Sequence, residues 1–316
     1  MLPHVPRIGV HLPLGDGLLR AAERAREIGA DTIQVFADNP TTWRRRAAPP
    51  RRLDEFRARL DELGVRPVAI HASYLVNLAG PDPGFRRASI EVLASDLRAA
   101  AGYGAGIVNV HTGSHRETSL EAGVARIAEG VAEVFGMLDG AANGTILALE
   151  NASGGGASVG VTLEESARIA DAAARLGVDD DRLGFCIDTA HAWGAGIEID
   201  EPDGIDAYLE RFDDLLGLRR LVLVHLNDSR DERGSRHDRH EHLGGGAIGE
   251  RGLGHVVRHP ALADVPFILE TPGMDSGYDA INLARARSLA AGVPLDPLPP
   301  EAFEVSSSGH RSAAPD

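Results

Sequence analysis

Six apolar runs of strand length in this chain end on a carboxylate or an imidazole: His71, His111, Glu150, Asp188, His225 and Glu270. If those ends open on one face, three carboxylates gather there, and two unit charges about 5 Å apart at an effective dielectric near 20 repel by roughly 3 kcal/mol. Such a cluster needs protons or cations. Imidazoles among the carboxylates favour zinc or manganese over magnesium or calcium, which prefer oxygen-only shells. A second set is local in sequence. His191 follows Asp188 in Asp-Thr-Ala-His, and Asp238 and His240 stand two apart in Asp-Arg-His, a spacing that points both side chains the same way in an extended segment. The expected chemistry is that of a multi-metal site.

Positioning these residues requires elements whose ends converge. Apolar runs alternate with amphipathic stretches along the whole chain, the pattern of repeated βα units. The strands read as 7–12, 32–36, 67–71, 107–111, 146–150, 183–188, 221–225 and 266–270; helices include 17–28, 53–63, 88–101, 120–138, 163–176 and 280–290. Thr162, with Glu165 three residues on, has the form of a capping box. Eight such units, with no dinucleotide glycine motif after the first strand, predict a closed (β/α)8 TIM barrel of α/β class, whose strand C-termini share one mouth. The barrel is expected to occupy residues 1–295 as a single domain, with 296–316, rich in Pro, Ser and charge, as a mobile tail. The loop from Asn227 to Glu250 is too long for an ordinary connection and carries histidines and an aspartate, which favours function.

Composition narrows the chemistry. All 32 basic residues of the 316 are arginine, so a lysine Schiff base is excluded, and with it lysine aldolases, pyridoxal enzymes and lysine-dependent lyases. The net charge of −15 argues against a polyanionic partner, although divalent ions in the cleft would offset it where a phosphate binds. Arg44, Arg45, Arg46, Arg51 and Arg52 form a local basic patch after Trp43. The single Cys186 sits in an apolar strand and reads as a core thiol. His11 is read as structural or cleft-lining. His115, His237 and His242 are read as flanking the site, and His4, His255, His259 and His310 as surface residues. The glycine runs 154–156 and 244–246 would allow close approach of backbone or phosphate. With no membrane span or secretory signal in the sequence, a cytoplasmic protein is expected, with monomer the favoured oligomeric state.

The segments IHASYLVNLAG, VNVHTGSH, LALENASGGG, FCIDTAHAWGAG, LVHLNDS, RHDRHEHLGGGAIG and FILETPG resemble, in order and spacing, those of endonuclease IV, the zinc-dependent apurinic/apyrimidinic endonucleases. The resemblance runs from about Ile8 through the eighth helix and implies a xylose isomerase-like barrel with three zinc ions, manganese being an alternative at one position. It assigns His71, His111 and Glu150 to one ion, with Glu150 bridging to a second held by Asp188, His225 and Glu270. His191, Asp238 and His240 hold the third. Tyr74 and Leu75 match residues that enter duplex DNA at the lesion, and Arg44, Arg45 and Arg46 are candidate phosphate contacts. The implied partner is double-stranded DNA containing abasic sites, and the implied reaction is hydrolysis of the phosphodiester 5′ to the lesion, with removal of 3′ blocking groups. Glu150 is the expected catalytic bridge.

The chain departs from the family at two points. Thr41 stands where some members place a DNA-penetrating arginine, and Gly245 replaces an acidic residue. The rival expectation is a metal-dependent sugar isomerase or epimerase on a similar barrel. That chemistry has no need of the set His191, Asp238 and His240.

Overall fold

Strands β1 (Ile8–His11), β2 (Thr32–Phe36), β3 (Val68–His71), β4 (Ala105–His111), β5 (Ile146–Glu150), β6 (Leu183–Asp188) and β7 (Leu221–His225) alternate with helices. A short hairpin, β8 (Asp228–Ser229) with β9 (His240–Glu241), precedes the last barrel strand, β10 (Phe267–Leu269). The eight barrel strands are all parallel and close in the order β1-β10-β7-β6-β5-β4-β3-β2. The computed structural model describes residues 6–138 and 144–305. All eight expected strands are present. Glu270 lies just beyond β10, because its amide donates to the Asn227 side chain at 2.8 Å instead of to a neighbouring strand.

The outer layer is α1 (Leu18–Ile28), α2 (Leu53–Leu63), α3 (Pro83–Tyr103), α4 (Leu120–Leu138), α5 (Leu163–Arg175), the short α6 (Thr189–Gly194), α7 (Pro202–Leu216), α8 (Gly249–Arg258) and α9 (Tyr278–Ala291). Helix α3 starts five residues before the expected Ala88, because the Asp82 carboxylate accepts the Phe85 amide at 2.8 Å and Pro83 fits the first turn. The capping box is present: Thr162 Oγ1 accepts the Glu165 amide, and Glu165 reaches back to the amides of Gly160 and Val161.

Alternation along the strands divides the core in two. Outward residues such as Val108, Leu149 and Phe267 pack under the helices. Inside the barrel, Ala69, Ile107, Ala148, Cys186, Leu223 and Ile268 form a separate apolar plug. Two residues further along the same six strands stand His71, Asn109, Glu150, Asp188, His225 and Glu270. A period of two places each of these directly above a plug residue, so the barrel carries a polar layer resting on a dry floor. Cys186 belongs to the floor, as a core thiol whose burial pushes its pKa to about 12.

The expected tail at 296–316 is corrected in its first part. Residues Pro300–Glu304 form a turn of 3-10 helix, Ala302 is buried, and the Val305 carbonyl accepts from Arg230 at 2.6 Å. Gly245 makes room for this docking, since a Cβ there would lie 3.0 Å from Leu298 and 3.1 Å from Phe303. The remaining residues, 306–316, lie outside the described residues, as do His4 and His310.

Candidate metal centre

The ladder itself sets two of the contacts, since His111 is in register with Glu150 and Asp188 with His225. Glu150 is the hub. Its Oε2 lies 3.3 Å from His111 Nε2 and 3.6 Å from His71 Nε2, while its Oε1 lies 3.1 Å from His225 Nδ1 and 3.3 Å from His191 Nδ1. His225 Nδ1 also approaches Glu270 Oε2 at 3.2 Å and Asp188 Oδ2 at 3.8 Å. The nine residues singled out in the sequence fall into three adjoining groups. One is His71, His111 and Glu150, a second Glu150, Asp188, His225 and Glu270, and a third centres on Asp188, His191 and His240. Asp238 joins the third group, with Oδ1 3.2 Å from the Nε2 atoms of both His191 and His240.

The loop that supplies Asp238 and His240 is sewn to the helix that supplies His191. Trp193 of α6 donates from Nε1 to the Asp231 carbonyl at 2.9 Å, and the amides of Gly234 and Arg236 donate to the carbonyls of Trp193 and Gly194. Close approach is needed here, because a Cβ on Gly194 would lie 2.8 Å from the His237 carbonyl oxygen, and one on Gly155 2.9 Å from that of Arg236. The second glycine run wraps a carboxylate. Buried Asp228 accepts the amides of Ser229, Gly244, Gly246 and Ile248 at 2.8 to 3.0 Å, and a Cβ on Gly246 would lie 2.3 Å from the Ser229 carbonyl. Both runs therefore serve backbone packing of the metal-site loops.

Imidazole orientation is fixed from behind. The Nδ1 atoms of His71, His191 and His240 lie 2.7, 2.9 and 2.9 Å from the carbonyls of Ala72, Asn151 and Glu270. A carbonyl only accepts, so each Nδ1 carries a proton and each Nε2 points toward the cluster, the orientation a metal-ligating histidine requires. His71 Nε2 is buried with no hydrogen-bond partner, an arrangement that an ion at this point would satisfy. Of the nine, only His111, Asp238 and Glu270 are partly exposed, so the cluster opens to solvent on one side.

Electrostatics match a cation site. Burial by itself would raise the carboxyl of Glu150, yet the charges of His225 and His111 outweigh it and hold the group well below the ordinary range. Burial would likewise lower His191, but Asp188 and Asp238 prevail and lift it to about 10. The carboxylates attract positive charge strongly, so protons and divalent cations compete for the same donor atoms. With imidazole nitrogens and carboxylate oxygens converging in every group, the donor chemistry fits zinc or manganese.

Several partners escape sequence reading. Gln34 donates from Nε2 to Glu270 Oε1 at 2.7 Å and presents Oε1 to His225 Nε2 at 3.1 Å; Gln34 Nε2 also lies 3.1 Å from His11 Nδ1. His11 is therefore cleft-lining, with Nδ1 3.3 Å from Glu270. Asn109 donates to Glu150, and Asn227 to Asp188 Oδ2 at 2.7 Å. The flanking histidines divide. His237 is exposed against Asp231, whereas His242 is buried against Asn282 and the Ala302 carbonyl, away from the cluster, because the docked C-terminal segment covers it.

On the rim, Tyr74 packs its ring 5.0 Å from Phe36 and 5.8 Å from His71, half-buried like its neighbour Leu75. Of the basic patch, Arg45 is turned inward on its own loop, contacting the carbonyls of Asn39 and Thr42. Arg46 pairs with Asp38 at 3.4 Å, and the Thr41 hydroxyl is tied to Asn39. Arg44 is exposed.

Residues 22–292 match the family model of the xylose isomerase-like TIM barrel. A probable endonuclease 4 from Methanoculleus marisnigri is 39% identical over 284 residues, covering 90% of this chain and 98% of that protein. The crystal structure of endonuclease IV from Thermus thermophilus superposes with a TM-score of 0.78 at 39% identity, covering 91% of this chain and all of that one. A D-tagatose 3-epimerase-like protein shares the fold at a TM-score of 0.67 and 18% identity, covering 90% of this chain and 98% of its own. On sequence and architecture together, the chain belongs to the endonuclease IV family of xylose isomerase-like TIM barrels.

Proposed function

We propose that this protein is a DNA-repair endonuclease that hydrolyses the phosphodiester 5′ to abasic sites in double-stranded DNA and clears 3′ blocking groups. Three zinc ions would be held by His71, His111 and Glu150; by Glu150, Asp188, His225 and Glu270; and by His191, Asp238 and His240. The observation that carries the reading is the third set. His191, Asp238 and His240 come from two separate segments, meet within 3.2 Å, and adjoin the Glu150 hub. A sugar epimerase, which moves protons between carbons, has no use for them. Relatives that bear the name endonuclease 4 over nearly the whole chain support the same choice.

When bound, the ions supply an ionised water at neutral pH and neutralise charge on the phosphate and the leaving oxygen. The chain's own residues do the rest. Carbonyl-anchored Nδ1 atoms hold the histidine rings in one tautomer, and Asn109, Gln34 and Asn227 fix the carboxylates of Glu150, Glu270 and Asp188. Glu150, touching four imidazoles, is the natural bridge between the first two groups. The apolar floor beneath excludes water from below and keeps the field of these charges strong. Tyr74 and Leu75 stand on the rim, where an extrahelical abasic gap would need filling. Arg44 faces outward for phosphate contact. With no lysine in the chain, β-elimination through a lysine Schiff base is closed, which leaves hydrolysis.

The test is direct. Zinc-loaded protein is incubated with duplex DNA carrying one tetrahydrofuran abasic analogue and, in parallel, with ketoses. Nicking immediately 5′ to the analogue, leaving a 3′-hydroxyl, is the expected result; ketose turnover without nicking would overturn the assignment.

A further inference from the structure

Away from the barrel mouth, three side chains from the outer wall bring donor atoms to one point. His255, in the last turn of α8, places Nε2 at 2.6 Å from Asp206 Oδ1, and His259, the residue that ends that helix, places its Nε2 at 3.3 Å from the same oxygen. Asp206 belongs to α7, so the cluster spans two helices. The two rings lie 5.6 Å apart at 75°, edge to face, and one ligand atom from each of the three residues falls within 4.8 Å of the others. Histidines four apart share a helix face, and two imidazoles with a carboxylate make a zinc or copper donor set with room for water.

We infer that Asp206, His255 and His259 form a separate divalent-cation site, sharing no residue with the cluster at the barrel mouth, that ties α7 to α8. The site is built for this. The His259 side chain is only partly exposed, so its ring is held at the junction of the two helices. The Asp206 carboxylate accepts from His255 Nε2 at 2.6 Å. In the ion-free state Nδ1 of His259 accepts the Ala261 amide at 3.2 Å, so Nε2 carries the ring proton. Ion binding at Nε2 moves that proton to Nδ1 and gives up the Ala261 contact, while the short His255–Asp206 contact opens to admit the ion. Both changes are local, since Asp206 is more than half exposed.

The location gives the clamp a purpose. Beneath the cluster, Ile205 and Tyr208 of α7 and Val256 of α8 line an apolar cavity that reaches Ile187 and Val224 of the barrel wall. The α7–α8 seam is thus incompletely filled, and a cross-link over it would restrain the two helices that flank the strands bearing Asp188 and His225. Any ligand that binds only the folded chain adds to stability by mass action.

The experiment compares the full-length protein with His255→Gln and His259→Gln after dialysis against micromolar zinc, by elemental analysis and by thermal unfolding. The expected result is one further equivalent of zinc in the parent, absent from both variants, and a zinc-dependent rise in Tm that both lose while DNA nicking is unchanged. Asp206→Asn should weaken the extra equivalent. Equal zinc content and equal Tm response in parent and variants would overturn the proposal. The comparison is a difference between parent and variant, so it reads out whether or not the barrel mouth proves to be a nuclease.

Discussion

Asn109 donates from Nδ2 to Glu150 Oε2 at 2.6 Å, from β4 to β5, although the ladder pairs Asn109 with Ala148 and Glu150 with His111. The amide replaces one proton donor that the carboxylate would otherwise seek from solvent, and it sets the rotation of the carboxyl between His71 and His111. Partners of this kind typically contribute about 10- to 100-fold to metal affinity or activity. Asn109→Ala should therefore lower metal affinity and incision rate by about that much, with the fold intact by circular dichroism. Glu150→Gln should abolish incision outright; retention of more than a few per cent of the parent rate would remove Glu150 from the bridging position.

Asp228 controls a different part of the centre. Its buried carboxylate collects four close amides from the loop that carries Asp238 and His240, two on each oxygen, so an amide in its place leaves two of the donors unpaired at about 1–3 kcal/mol each. Asp228→Asn should selectively loosen that loop, and on the proposed trinuclear reading the zinc content should fall from three to two as the His191, Asp238 and His240 set comes apart. Gly246→Ala should reproduce the loss, because the new methyl would press on the Ser229 carbonyl. Three tightly bound ions in both variants, measured by elemental analysis after gel filtration, would show that the loop holds its shape without this anchor.

The barrel and six of the nine candidate donors are legible in the sequence because alternation along a strand leaves a plain signature, an apolar run closed by an acid or a histidine, while His191, Asp238 and His240 show only as close-spaced pairs in Asp-Thr-Ala-His and Asp-Arg-His. Gln34 and Asn109 are not legible, although both occupy the same polar layer. They lie inside the runs TIQVF and IVNVH, where a neutral amide reads as an ordinary interruption, and only the closed barrel shows which rung each occupies. The docked segment at Pro300–Glu304 is hidden for a related reason. Its sequence has no apolar period, and its seat is made by Gly245 and His242 from a distant loop. His255 and His259 look like two unrelated surface residues until α7 brings Asp206 beside them.

The arginine patch separates into roles that salt dependence can resolve. Arg44 is exposed, whereas Arg45 and Arg46 bind their own loop. A phosphate contact contributes about one unit to the slope of log K against log salt. Arg44→Ala should lower the slope for duplex binding by about one, measured by fluorescence anisotropy between low and moderate salt. Arg45→Ala should instead reduce affinity with little change in slope, by disordering the loop. Equal slopes for parent and Arg44→Ala would take Arg44 out of the interface.

Asp96 gives the loops that flank the mouth a pH dependence of their own. It lies buried on α3, accepts the Ser73 amide, and leaves Oδ2 without a hydrogen-bond partner, while the Ser73 hydroxyl donates to the Pro40 carbonyl at 2.6 Å and so joins the loop of Tyr74 to that of Arg44. Burial pushes the Asp96 carboxyl up to about 7, with Arg45 only partly offsetting it, from an ordinary value of 3.8. Between those two values the folded chain keeps a proton that the unfolded chain has released. Stability must then fall as pH rises through the window, and the loss is complete above the folded value. At about 1.4 kcal/mol per pH unit the effect has a ceiling of roughly 4 kcal/mol. Asp96→Asn cannot titrate, so its stability relative to the parent should climb steadily from pH 4 to pH 8, read as the difference in urea midpoint at each pH. A constant difference across that range would mean that the carboxylate stays ionised in the folded protein, and that Arg45 rather than burial governs it.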